Sequence, residues 1–379
     1  MLDIVLTSSI SFIITFLAIP IVIQIAQSKK LYDVPDDRKI HTGLVPSLGG
    51  IAIFSGFIFT SLLSISAFTN PEFQYFFAAA VVIFFIGLKD DLILLSATKK
   101  FIGQVVAASI LIHLGGININ SMHGLFGIYE IPQAFSLAFS YLTIIVIINS
   151  FNLIDGVDGL AGSLGLMTMI VMGIYFFAND MLAYSLLAFG MTGSLVAFLI
   201  FNHQPAKIFM GDSGSLLLGL VNSILVLKFI TVADTTEVIY RVDSAVAVGF
   251  SILMVPLFDT LRVFAIRIFN GRSPFTPDRN HIHHLLLDIG LSHSLVTIVC
   301  VVINILFIVM AYYGSVIGPT RIIIAMLAIA FCGIGILYYK KSKMTAFFDN
   351  EINEKYKIET KSDSKVVTFS KESSAVEQK

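Results

Sequence analysis

The feature that most constrains this chain is a succession of apolar runs, each about as long as a bilayer is thick. A hydrocarbon core roughly 30 Å across needs about 20 apolar residues per helical span, and the sequence supplies about eleven such runs. They cover Ile4–Ala26, Ser47–Phe68, Phe73–Leu88, Phe101–Gly115, Ala134–Phe151 and Ala161–Ala178. Met181–Phe201, Ser213–Val232, Ser244–Ile268, Leu295–Tyr313 and Ile322–Tyr339 follow. Breaks such as Thr69–Asn70–Pro71 and Asn179–Asp180 separate them, because Asn, Asp and Pro end helices and start turns. The expected fold class is all-α, a polytopic transmembrane helix bundle of about eleven helices.

Composition agrees with this reading. Hydrophobic residues make up 56% of the chain and charged residues 13%, against about 25% charge in an ordinary soluble domain. A formal net charge of -1 gives nucleic-acid binding no electrostatic support. Cys300 and Cys332 both lie in apolar runs, where a free thiol behaves as a small hydrophobe, so neither a disulfide framework nor a zinc site is expected. No basic segment precedes the first apolar run and no small-residue cleavage pattern follows it, so it reads as a retained helix.

Orientation follows from the loops, since positive residues are retained on the cytoplasmic side. Of 24 Lys and Arg, all but Arg241, Arg321 and Lys228 fall on one side of the eleven-span map. This places the N-terminus outside and the C-terminus inside. It implies an integral membrane protein in contact with membrane lipid. The division expected is a transmembrane catalytic domain over residues 1–340 and a cytoplasmic tail over 341–379, disordered because it is rich in Lys, Glu and Ser.

Polar residues gather at the span ends on the cytoplasmic side, in Arg38–Gly50, Lys89–Gln104, Asn149–Gly162, Phe201–Ser215 and Arg262–His284. A transporter is a candidate from another class. It is expected to carry ionisable groups or broken helices near the bilayer midplane, and the expectation here is that no span holds an acidic residue in its middle.

Asp90 and Asp91 can be a solvated helix end beside the snorkelling pair Lys99 and Lys100, or a carboxylate pair that places a cation or a phosphate nucleophile. Asn149, Asn152, Asp155 and Asp158 recur at intervals of three as a span leaves the membrane. Gly156 and Gly159 between them permit a tight turn against a ligand, whereas a self-capping turn needs only one or two such residues. Asp212 and Ser213 open another span, as a helix cap or as a phosphate and cation site. Their hard oxygen chemistry favours Mg²⁺ or Mn²⁺ over zinc. In the last loop Arg279 precedes His281, His283 and His284. With arginines alongside and no cysteine, these donors suit a diphosphate better than a metal, and a plain solvated basic loop is the bland alternative.

Five ordered segments carry a family resemblance: Arg38–Lys–Ile–His–Thr–Gly with Pro46–Ser–Leu–Gly–Gly50, Asp90–Asp91 with Lys100, Asn149-x-x-Asn152-x-x-Asp155-Gly-x-Asp158-Gly, Ala206–Lys–Ile–Phe–Met–Gly–Asp–Ser–Gly214 and Pro277–Asp–Arg–Asn–His–Ile–His–His284. Together they resemble the polyprenyl-phosphate N-acetylhexosamine-1-phosphate transferase superfamily, and its WecA/TagO-like branch more than its MraY-like branch. The resemblance implies that Asn152 and Asp212 bind Mg²⁺ with the UDP-sugar pyrophosphate, and that Asp158 contacts uracil. It implies that Asp90 and Asp91 act on the lipid-phosphate nucleophile and that Lys100 contacts phosphate. Lys39, His41, Asn149, Asp155, Arg279, His281, His283 and His284 are implied to line the nucleotide and diphosphate surroundings. The implied partners are a UDP-N-acetyl sugar, most simply UDP-GlcNAc, and undecaprenyl phosphate, and a homodimer is compatible with the resemblance. The implied reaction releases UMP and starts cell-envelope polysaccharide synthesis.

Overall fold

Apolar runs become helices here because a helix satisfies its own backbone hydrogen bonds where the solvent offers none. The computed structural model describes residues 1–31, 45–236, 238–273 and 280–363, with side chains as far as residue 344. The helices are α1 (Leu2–Lys29), α2 (Gly49–Ser64), α3 (Glu72–Leu92), α4 (Ala97–Ser109), α5 (Gln133–Ile154), α6 (Leu160–Ala178) and α7 (Leu182–Asn202). Next come α8 (Gly211–Val232), α9 (Ala245–Ile252), α10 (Met254–Phe269), α11 (Ile282–Asp288), α12 (His293–Gly314) and α13 (Pro319–Asp363). Among the described residues, 7 helices are long and apolar enough to cross a membrane, namely α1, α5, α6, α7, α8, α12 and the first part of α13. The shorter α2 is also apolar. The chain is an integral membrane protein with an all-α, polytopic architecture.

Burial sorts centre from rim. The apolar window of α8 is 78% buried and that of α13 only 17%, so α8 runs through the middle while α13 shows most of its surface outward. Around α8 pack α3, α5 and α2. Helices α1 and α7 meet along a seam of small residues, the arrangement that lets backbones approach closely in lipid. There Ser11 Oγ donates to the Gly190 carbonyl at 2.6 Å, and Thr15 Oγ1 donates to Ser194 Oγ at 3.0 Å.

The predicted ninth span, Ser244–Ile268, is broken into α9 and α10 at Leu253. Asn304 of α12 repairs the break: its Oδ1 accepts from the Val255 N–H at 2.9 Å and its Nδ2 donates to the Ile252 carbonyl at 2.9 Å. The same span corrects the expectation of no acidic residue inside the membrane segments, since Asp259 lies within α10 and is 1% exposed. The predicted fourth span is α4 followed by a π-helical turn at Ile110–Leu114.

A hairpin unmarked in the sequence, β1 (Ser121–Leu125) with β2 (Ile128–Glu130), joins α4 to α5. It is tied down by His123 Nδ1, 2.7 Å from Asp234 Oδ2 just beyond α8, and by the Phe126 N–H donating to Thr320 Oγ1 at 2.7 Å. Helix α13 runs on to Asp363. Its Glu- and Lys-rich sequence is that of good helix formers as much as of a disordered segment.

Candidate active site

The end of α3, the start of α4, the end of α5 and the start of α8 converge at one end of the bundle. The hairpin lies at the other, separated by the length of α8, about 33 Å at 1.5 Å per residue. Asp91 caps α8. Its Oδ1 accepts from the Asp212 N–H at 2.7 Å, and its Oδ2 accepts from the Ser213 N–H at 3.0 Å and from Ser213 Oγ at 2.6 Å. The first free N–H groups of a helix attract a carboxylate in this way. Gly211 makes the contact possible: at φ 71 it adopts a left-handed conformation, and a Cβ there would lie 2.8 Å from both Asp91 oxygens and 2.2 Å from the Ser47 carbonyl.

Asp90, 8% exposed, faces another way. Its Oδ1 accepts from the Leu95 N–H at 2.6 Å and its Oδ2 lies 2.6 Å from Lys100 Nζ. Lys100 also bonds Asp212 Oδ2, so a single ammonium bridges carboxylates from α3 and α8. From α5, Asn152 Nδ2 donates to Asp212 Oδ1 at 2.9 Å and to Ser215 Oγ at 3.0 Å. Asn149 is committed elsewhere, since Nδ2 donates to Gln104 Oε1 at 2.8 Å and its Oδ1 accepts from Gln104 Nε2 at 3.2 Å.

Asp155 follows α5 directly and is half-buried. Burial, and after it the negative charges of Asp212, Asp91 and Asp158, push its carboxyl up to about 8. Asp158 is turned into the protein at 4% exposure. There its Oδ2 accepts from the Ala206 N–H at 3.3 Å and its Oδ1 lies 3.4 Å from His293 Nδ1.

The histidine motif sits on the same turn. A Cβ on Gly156 would lie 2.5 Å from His283 Nε2, so glycine is what admits that ring. His283 stacks on His281 with centroids 5.5 Å apart and planes 6° from parallel, and the His284 ring is tilted against it with centroids 4.3 Å apart. Burial, reinforced by the neighbouring His284, pushes His283 down to about 3, so its ring is neutral. Lys39, His41 and Arg279 lie outside the described residues. The rest of the expected set comes together around Asp212 and Gly156, although Asn149 and Asp158 are held by protein partners.

Several site residues escaped the sequence. Gln104 and Ser215 fall within the polar segments but carry no pattern that assigns them a partner, and His293 belongs to a helix whose apolar run hides it. Asp259 and Arg262 did leave a signal, an Asp and an Arg three apart inside an apolar run, the spacing of a helical ion pair. Hard oxygen donors dominate around Asp212, and among the described residues no group of 3 or more His, Cys, Asp or Glu is placed to hold a metal.

A helix bundle that gathers carboxylates, a bridging lysine and a histidine cluster at one membrane face defines a membrane-embedded phosphotransferase. Comparison with known proteins bears this out. The family model for glycosyl transferase family 4 matches residues 73–230. The chain is 32% identical to a Bacillus subtilis protein named "Probable undecaprenyl-phosphate N-acetylglucosaminyl 1-phosphate transferase", over 82% of this chain and 85% of that one. It is 32% identical to the decaprenyl-phosphate N-acetylglucosaminephosphotransferase of Mycobacterium leprae, over 76% and 77% of the two chains. It is 28% identical to the undecaprenyl-phosphate alpha-N-acetylglucosaminyl 1-phosphate transferase of Escherichia coli K12, over 74% and 75%. The chain belongs to glycosyl transferase family 4, among the polyprenyl-phosphate N-acetylhexosamine-1-phosphate transferases that its motifs resemble.

Proposed function

We propose that this enzyme transfers N-acetylglucosamine 1-phosphate from UDP-GlcNAc to undecaprenyl phosphate at the cytoplasmic face of a bacterial plasma membrane. The observation that carries the chemistry is the Lys100 ammonium bridging Asp90 and Asp212 beside Asn152. The relatives' names support the sugar and the lipid class. A phosphate oxygen of the lipid attacks the sugar-bearing β-phosphorus, the bond from that phosphorus to the bridging oxygen breaks, and UMP leaves with the electron pair. A phosphate monoester has a second pKa near about 6, so the nucleophile is largely dianionic at neutral pH and needs no strong base.

The chain's own groups divide this work. Asp91 spends both oxygens on the first turn of α8 and so aims Asp212. Asp90 accepts from the Leu95 N–H with one oxygen and holds Lys100 with the other, and the second lone pair of each oxygen is what can orient the lipid phosphate and take any residual proton. Lys100 offsets phosphate charge. Asn152 and Asp212 would hold Mg²⁺, or Mn²⁺: Asn152 donates to Asp212 and Ser215 through its amide nitrogen, which leaves Oδ1 as a hard donor beside the Asp212 carboxylate. When bound, the cation screens the pyrophosphate and stabilises the leaving UMP. The Asp155–Gly156 turn and its histidines face the nucleotide and diphosphate.

An apolar cavity of about 230 Å³ between α5, α8 and α9–α10, walled by Phe139, Leu142, Val146, Leu253, Leu257 and Leu261, suits part of a hydrocarbon chain. The α9–α10 break and buried Asp259 are the features a transporter would show. Asp259 is already paired to His281 and Arg262, however, and offers a passing substrate nothing. The deciding experiment incubates purified protein, Mg²⁺ and undecaprenyl phosphate with a panel of UDP-sugars and measures UMP. UDP-GlcNAc should turn over fastest. A faster UDP-N-acetyl sugar would reassign the donor, and vesicle uptake of the sugar without UMP release would favour transport.

A further inference from the structure

Asp259 lies on α10, outside the five motifs, and both of its oxygens are engaged. It is 1% exposed. Its Oδ2 accepts from His281 Nδ1 at 2.8 Å, while its Oδ1 accepts from Arg262 Nη2 at 3.0 Å and from the Ile282 N–H at 2.9 Å. Arg262 in turn bonds the Asn280 carbonyl and reaches Tyr338 Oη of α13 at 3.3 Å. The carboxylate therefore grips the chain where it enters α11, through a ring nitrogen and a backbone N–H in adjacent residues.

Burying a carboxylate is costly unless every partner is in place, and removing one partner leaves the others uncompensated. A span held in lipid needs no such group for its own stability. What the arrangement does secure is chemical. A carboxylate at Nδ1 makes that nitrogen the protonated one and fixes the ring plane, which leaves Nε2 as the only ring atom free to act. The plane so fixed is the one on which His283 stacks, and His283 lies against Gly156 in the turn that carries Asp155.

We infer that Asp259 is a positioning residue for the transfer reaction, acting through His281 by setting its tautomer and its orientation toward the diphosphate. The inference rests on the transferase reading given above. Asp259 touches no substrate. Its effect passes through one imidazole, and that makes it testable by a cycle of variants with Asp259→Asn, His281→Ala and the double change, assayed by UMP release from UDP-GlcNAc with Mg²⁺ and undecaprenyl phosphate.

Rates are taken per mole of monodisperse protein, so a loss of folded material does not count as a loss of rate. Asp259→Asn should lower kcat by about 10- to 100-fold with KM for UDP-GlcNAc within about threefold. In the His281→Ala background the same change should cost nothing further. If the amide variant yields no monodisperse protein, Asp259→Glu takes its place, since it keeps the charge opposite Arg262 while displacing the carboxylate by one methylene. Its expected loss, about fivefold or more in kcat, should likewise vanish in the His281→Ala background. Losses that add in the double variant, or a wild-type kcat in whichever single Asp259 variant is used, overturn the assignment. Absence of UMP release from the wild-type protein instead counts against the transferase reading itself.

Discussion

Asp212 has two oxygens and more than two claims on them. Lys100 holds one, Asn152 the other, and the proposed cation must share the same carboxylate. Asp212→Ala is therefore expected to cut UMP release by about 1000-fold or more while the protein remains folded, because the developing negative charge loses its stabilisation. Near-normal activity of that variant in EDTA-treated buffer would end the metal assignment. Gly156 allows a second expectation. Gly156→Ala puts a methyl group against the His283 ring, and the resulting shift of about 1 Å in the histidine cluster should lower kcat by about 100-fold with little change in Tm.

Asp155 supplies a pH test. Its carboxyl is raised from the ordinary 3.8 to about 8, so the folded protein keeps a proton that the unfolded chain has released. The stability from this group is complete below about pH 4 and disappears as pH rises through about 8. Tm of the substrate-free protein should fall between about pH 5 and 8, with a shallower slope in Asp155→Asn. An equal slope in both proteins would show that Asp155 is not the group responsible.

At the scale of elements, the junction of α3 with α8 decides the site. An acidic pair at the end of one helix could serve two catalytic roles, but the two carboxylates point to different partners and do different things. Asp91→Asn replaces one acceptor oxygen by an amide nitrogen that cannot accept the α8 N–H groups, and should cost about 1–2 kcal/mol of stability along with kcat. Unchanged thermal unfolding of that variant would contradict the capping role. The broken ninth span shows the converse case. No turn residue marks Leu253, and the interruption is tolerated because Asn304, 51 residues along the chain from Leu253, supplies the missing donor and acceptor.

At the scale of the whole molecule, the distribution of Lys and Arg predicts the orientation. A cysteine introduced at Ser273 should label only from the cytoplasmic side and one at Thr235 only from outside. The reverse pattern would overturn the assignment of the site to the cytoplasmic face. The same test covers the hairpin, since Thr235 lies next to the Asp234 that pairs with His123 at the far end of α8.

What the sequence by itself determined was the class and the cast. Apolar runs of membrane length favour helices, 7 of them long enough to span among the described residues, and five motifs at their polar ends brought Asp90, Lys100, Asn152 and Asp212 forward as candidates, because carboxylates, amides and a lysine are what phosphate and cation chemistry require. Only the tertiary structure decided which candidates share a centre. Asn149 and Asn152 sit three residues apart on one helix, yet one is locked to Gln104 and the other reaches Asp212, a choice made by the helices packed beside them. Asp259 lies on α10 and His281 just before α11, and only the fold of the chain between them brings the two side chains within 2.8 Å. Helical periodicity and helix-ending residues act over a few positions and are legible in one dimension. Hydrogen bonds between helices depend on which faces pack together, and that is settled by the bundle as a whole.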